Sequence, residues 1–69
     1  MTFTEIRKNR HRNDSVRKAA IKIGISKSAF FHYETYDRFP KKETLRKIQK
    51  AYNLTNEDIA TLFLNYYLH

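Results

Sequence analysis

The sequence has no cysteine, no tryptophan, one glycine and one proline in 69 residues. Without cysteine, disulfide staples and thiolate zinc sites are excluded, and a reducing compartment, the cytoplasm, is the expected setting. One Gly and one Pro leave too little turn chemistry for an all-β sandwich or barrel, which needs a turn signal every ~8–12 residues. The Gly-rich phosphate loop of α/β enzymes is excluded by the same scarcity. Apolar runs extend only a few residues, so no stretch predicts a membrane span or a signal peptide. What these absences leave is one small all-α domain over residues 1–69. A core of that size supplies only a few kcal/mol, so its elements must be locally encoded.

Acidic residues are also scarce. Seven Asp and Glu stand against fourteen Lys and Arg, for a net charge of +7 and a pI near 9.9. The first fifty residues hold all fourteen bases and five of the acids, a net of +9. Residues 51–69 hold Glu57 and Asp58 and no base. A basic body with a slightly acidic, apolar end suits a protein that offers one face to a polyanion.

Local signals divide the chain into five short helices. Thr2-Phe3-Thr4-Glu5 has the spacing of a capping box and predicts a first helix from about 3 to 11, with Phe3 and Ile6 inward. His11-Arg12-Asn13-Asp14 has no apolar residue and reads as a connection. Asp14 or Ser15 can cap a second helix in which Val16, Ala19, Ala20 and Ile23 recur at helical spacing. Gly24 is placed to end it in the left-handed conformation. Ile25 points inward, and Ser26 caps a third helix that reaches Glu34 or Thr35, with Phe30 and Tyr33 on one face. Residues 36–40 form a loop, and Pro40 sets the entry to a fourth helix built on Leu45, Ile48 and Tyr52. Asn53 is an acceptable left-handed cap. Thr55 to Asp58 opens a fifth helix whose stripe is Ile59, Leu62, Phe63 and Tyr66, with its acids well placed for the helix dipole.

Residues 15–35 carry the functional signal. Two helices crossing steeply at a short turn need a small residue where their backbones approach, a Gly to reverse the chain, and apolar clamps on both sides. Ala20, Gly24, Ile25, Phe30 and Tyr33 meet those needs in order. The run from Ser15 to Glu34 resembles the helix-turn-helix of the Cro and lambda-repressor type, the XRE family. Arg38-Phe39-Pro40, Glu43-Thr44-Leu45 and Lys47-Ile48 resemble that family's fourth helix. The resemblance implies a compact five-helix, lambda-repressor-like domain whose third helix enters the major groove of double-stranded operator DNA. Lys27, Ser28, Phe31 and His32 then face outward on that recognition helix. Ser15, Arg17, Arg38, Lys41 and Lys42 match the positions where the family touches backbone phosphates, contacts that give register rather than sequence information.

Two positions depart from the family pattern. Val16 stands where the family usually has a Gln that braces the phosphate and the recognition helix. Phe31 stands where a small polar or basic residue is usual; it can pack on a thymine methyl but reads no hydrogen-bonding edge. Beside Val16 and Ala29, Phe31 predicts a small apolar patch of the kind found in protein interfaces. With the chain's size, this looks like the modulator-of-repression proteins, small switch proteins of temperate phages of Gram-positive bacteria. That resemblance implies a complex with the N-terminal domain of a phage CI-type repressor that favours the lytic state. A free-standing Cro-like operator repressor and the antitoxin of a toxin–antitoxin pair are the alternatives.

Other signals carry less. His11, His32 and His69 have no i, i+4 or Cys partner, so no metal is expected and the histidines read as solvated. No Ser, His and acid grouping sits at a recognisable elbow, and the chain reads as a non-enzyme without cofactor. Glu34 is placed for a structural pair with a nearby Arg or Lys. At the C-terminal end, Leu62, Phe63 and Tyr66 can be buried, whereas Leu64, Tyr67 and Leu68 are surplus. They suit a frayed end or an association surface, a homodimer through the C-terminal helix among them.

Overall fold

Capping side chains decide where this chain starts and stops its helices. Thr2 Oγ1 accepts from the Glu5 N–H at 3.1 Å, and α1 follows from Phe3 to Asn9. Ser15 caps α2 (Val16–Ile23) by accepting from the Lys18 N–H at 3.0 Å. Gly24, at φ 89°, closes α2 through its N–H on the Ala20 carbonyl. A non-glycine residue would be strained there. Ser26 repeats the Ser15 device for α3 (Lys27–Glu34), accepting from the Ala29 N–H at 3.0 Å. α4 (Lys42–Tyr52) ends on Asn53 in the left-handed region, and α5 (Asn56–Leu68) opens with a reciprocal Thr55–Asp58 capping box. The computed structural model describes residues 1–9 and 13–69; among them lie five helices and no strand. The expected continuation of the first helix to residue 11 falls outside the described residues.

α2 packs against both α3 and α4, and α1 packs against α3. The shared core takes Phe3 and Ile6 from α1, Ala19, Ala20 and Ile23 from α2, and Phe30 from α3. Ile48 and Tyr52 come from α4, Leu62 from α5, and Leu54 from the turn between the two. Ala19 and Ala20 are the small residues that let α2 approach its neighbours; a larger side chain in a core packed this tightly forces shifts. The radius of gyration, 10.6 Å, is close to the roughly 11 Å expected of a compact chain this long.

α5 is attached differently, through aromatic rings. Phe3 contacts Phe30, Tyr33 and Phe39 at centroid distances of 6.3, 5.9 and 6.1 Å. Phe39, in the α3–α4 loop, meets Phe63 and Tyr66 of α5 at 5.3 Å each. Such edge and tilted pairs add about 0.5–1.5 kcal/mol each beyond area burial. Asn65 Nδ2 also donates to the Met1 carbonyl, tying α5 to the N-terminal end. Among the described residues, no helix is long and apolar enough to cross a membrane.

Two polar clasps fix the helices around the core. Glu34 accepts from Arg7 Nε at 2.6 Å, from Arg7 Nη2 at 3.0 Å and from Thr4 Oγ1 at 2.8 Å, so the end of α3 is held to α1. This agrees with the structural role expected of Glu34. The second clasp corrects the sequence reading. Ser15 alone caps α2, and Asp14 turns inward to 2 % exposure. Its Oδ2 accepts from Lys22 Nζ at 2.6 Å and from the Tyr52 hydroxyl at 3.1 Å, joining α2 to α4. The hydrogen bond from Lys22 holds the Asp14 carboxyl below the usual carboxylate range, against the opposing effect of burial. Burial and the bond to Asp14 push the Tyr52 hydroxyl above its ordinary value.

Candidate functional site

The outer face of α3 is what remains once its inner face is satisfied. Phe30 is fully buried and Tyr33 packs half-buried against the core. The 3.6-residue repeat then turns Lys27, Ser28 and Phe31 to the opposite side, and all three are exposed. Phe31 is 55 % exposed, an unusual position for a large ring. Lys27, Ser28 and Phe31 stand as expected. His32 does not: it is half-buried, and its Nδ1 lies 2.7 Å from Asp37 Oδ2. The reason is the end of α3. Tyr36 takes a positive φ of 62°, and the Asp37 and Arg38 N–H groups fold back onto the His32 carbonyl. Asp37 is thereby brought beneath the imidazole, which replaces the solvated histidine read from sequence.

Exposed polar and basic residues flank α3 along the chain on both sides. Ser15 and Arg17 are exposed at the start of α2, and Arg38, Lys41 and Lys42 are exposed between α3 and α4. Ser15 Oγ already accepts in its cap, and its hydroxyl proton stays available to donate. Lys41 is the N-cap of α4 without a side-chain cap bond, so the first-turn N–H groups of α4 carry their partial positive charge beside two ammonium groups. Glu34 is paired with Arg7 and Asp37 contacts His32, while Glu43 stands exposed beside Lys42 in the first turn of α4. Lys27, Arg38, Lys41 and Lys42 make no ion pair with a described residue. The arrangement can meet an anion with several point charges and an apolar group with the Phe31 ring.

The expected apolar patch is smaller than the sequence indicated. Val16 and Ala29 are half-buried, Val16 against the core, so they contribute edges rather than an open surface. A second exposed aliphatic was missed: Ile21, on the outside of α2, is 71 % exposed. The signal was its place between Ala20 and Lys22, off the inward stripe of α2. At the other end, Leu62 is buried and Tyr66 half-buried as expected, but Phe63 is 48 % exposed. Its ring meets Phe39 edge-on at 5.3 Å. Leu64, Tyr67 and Leu68 are exposed, and Phe63 and Tyr67 stack at 6.2 Å. His69 stacks on Tyr36 at 4.1 Å rather than standing free; His11 lies outside the described residues.

No group of three or more His, Cys, Asp or Glu that could hold a metal ion occurs among the described residues. Comparison of the chain with protein-family models, with curated proteins and with solved structures finds no match.

Proposed function

We propose that the chain is a lambda-repressor-like helix-turn-helix regulator of a phage lysis–lysogeny switch. It acts as a modulator of repression, complexing the N-terminal domain of a CI-type repressor through the outer face of α3 and favouring the lytic state. Its setting is the cytoplasm of the bacterial host, and its work is binding rather than catalysis. The observation that carries this reading is Phe31, a half-exposed ring on the same outward face as Lys27 and Ser28. An exposed aromatic anchor is the usual material of a binding hot spot, whereas in a groove it could pack on a thymine methyl but read no hydrogen-bonding edge. The helix-turn-helix assignment is supported by the Ser15 and Ser26 caps, the left-handed Gly24 between them, and Phe30 beneath α3.

A second reading, a Cro-like operator repressor, is favoured by the unpaired bases Lys27, Arg38, Lys41 and Lys42. The exposed stripe of α5 suits a homodimer in either case. The deciding experiment titrates salt against binding to the regulatory DNA beside the gene, with and without the adjacent repressor's N-terminal domain. The proposal expects weak DNA binding alone and a changed DNA affinity of the repressor domain when the protein is added. Phe31→Ala should weaken the protein complex by tenfold or more, and Lys27→Ala by only a few-fold, since a buried aromatic anchor outweighs a rim charge. Tight, salt-sensitive binding by the protein alone, lost in Lys27→Ala, would establish the Cro-like reading instead.

A further inference from the structure

A concavity of about 340 Å³ lies between the C-terminal halves of α2 and α4, lined by Lys22, Ile23, Lys47, Lys50 and Ala51. It lies toward the opposite ends of α2 and α4 from the basic residues described above. α2 and α4 carry Ser15, Arg17, Lys41 and Lys42 at their N-terminal ends, whereas Lys22 and Lys50 stand in their last turns. At 1.5 Å per residue, Lys50 is about 12 Å along the axis from Lys42.

Three ammonium-bearing side chains share this lining with no carboxylate. Lys22 is held in place: Asp14 Oδ2 accepts from its Nζ at 2.6 Å, and the Nζ stands 5.1 Å from the centroid of the Tyr52 ring. An ammonium has three donors. The Lys22 side chain keeps 29 % of its exposure, so donors remain for a ligand. Lys47 and Lys50, three apart on α4, share one exposed face. Asp14 is already engaged with Lys22, and Glu43, one turn before Lys47 on α4, makes no ion pair with a described residue. Gathering like charges at one concavity is unfavourable; the negative ends of the α2 and α4 dipoles offset part of that but oppose an anion, so the attraction for a phosphate rests on the three ammonium groups.

The chemistry of the donors narrows the ligand. Lysines act as point charges and suit phosphate; the lining has no guanidinium fork to match a carboxylate edge to edge. Half-buried Ala51 and the small exposed edge of the core residue Ile23 give the same concavity a narrow apolar wall, and its volume lies at the small end of ligand sites. We infer that this concavity binds a phosphate-bearing ligand of nucleotide size, phosphates on Lys22, Lys47 and Lys50 and the base or sugar against Ile23 and Ala51. The ligand is a free nucleotide or a nucleotide of a single strand, the same chemistry from two sources. The site stands apart from the α3 reading and leaves that face open.

The test is a titration of the isotopically labelled full chain with ATP, with inorganic tripolyphosphate and with a short single-stranded oligodeoxynucleotide, at 150 mM salt. ATP should shift the Ile23 and Ala51 methyl signals and the Lys47 and Lys50 amides, and bind at least fivefold tighter than tripolyphosphate. Lys47→Gln with Lys50→Gln should weaken ATP tenfold or more. Lys41→Gln with Lys42→Gln should leave it within twofold. Both pairs are exposed, so the fold is kept, and Lys22 is left in place because Asp14 depends on it. Tighter binding of the oligonucleotide at the same signals assigns the strand as the source; tighter binding of ATP assigns the free nucleotide. Equal weakening by the two lysine pairs, equal affinity for ATP and tripolyphosphate, or no localised shift at millimolar ATP would overturn the site.

Discussion

α3 and α5 both turn aromatic side chains to solvent, yet onto surfaces of different kinds. Phe31 shares the outer face of α3 with Lys27 and Ser28, and α3 is clamped underneath by Phe30 and by the Arg7–Glu34 pair. Phe63, Leu64, Tyr67 and Leu68 stand on a segment without a single base, held from below by Phe39 and Leu62. The first combines one apolar anchor with charge, which favours a charged partner and fast, salt-dependent encounter. The second is a continuous apolar stripe at i, i+1, i+4 and i+5, which favours another apolar surface. One small domain can therefore offer two contacts of different chemistry, provided α3 is the more rigidly supported.

The largest expected effect tests that proviso. Phe30→Ala removes a fully buried ring from beneath α3 and should cost about 3–5 kcal/mol in urea denaturation. Phe63→Ala removes a ring that is half in solvent and should cost roughly 1 kcal/mol. Equal losses would break the comparison, because α5 would then be anchored as deeply as α3.

A smaller loss is expected at the clasp between α2 and α4. Asp14→Asn weakens the charge-assisted bond from Lys22 and the bond from the Tyr52 hydroxyl that ties α2 to α4, and should cost about 1.5–3 kcal/mol. The pH dependence follows from the lowered carboxyl. A carboxyl depressed in the folded state stabilises above its unfolded value, near pH 4, and that stability is lost as pH falls through the folded value. Acid titration of unfolding free energy should therefore fall below about pH 4 in the parent, with that part of the slope missing in Asp14→Asn. An unchanged slope would mean that the clasp does not set the acid limit.

Asp14 also shows where sequence reasoning stops. Its partner Tyr52 is 38 residues away, and no local pattern pairs the two. A residue before a helix has two local uses, cap or solvent, and burial on a distant tyrosine is neither. Caps were legible because they are local: Ser15, Ser26, Gly24, Asn53 and Thr55 each act within a turn of their own position. The inward stripes of α2 and α4 were legible for the same reason. The exposure of Phe63 and the half-burial of Val16 depend on how much core the whole chain can close, a global quantity. His32 was misread because Asp37 reaches it only through the left-handed Tyr36, a residue type that rarely adopts that backbone.

Below the clasp in size comes the turn that sets α3 on α2. Gly24→Ala meets no atom within 4 Å, so its cost is backbone strain at φ 89° alone. About 1 kcal/mol is expected from thermal or urea denaturation, with the α3 face intact. A loss several times larger would mean that the turn also carries packing.

The smallest effect on stability should accompany the clearest effect on association. Tyr67 and Leu68 are 72 % and 76 % exposed, and changing both to Asp should shift the unfolding free energy by no more than about 0.5 kcal/mol. The four outward side chains of α5 offer on the order of 500 Å² per protomer, which puts a two-fold dimer near the lower limit of specific interfaces. Sedimentation velocity over a concentration series should then show parent self-association that Tyr67→Asp with Leu68→Asp abolishes and Phe31→Asp leaves unchanged. Higher salt should leave it undiminished, because no base lies on the α5 segment, while binding through the α3 face weakens. If instead Phe31→Asp abolished the association, the two faces would be one surface, and the contrast between them would fall.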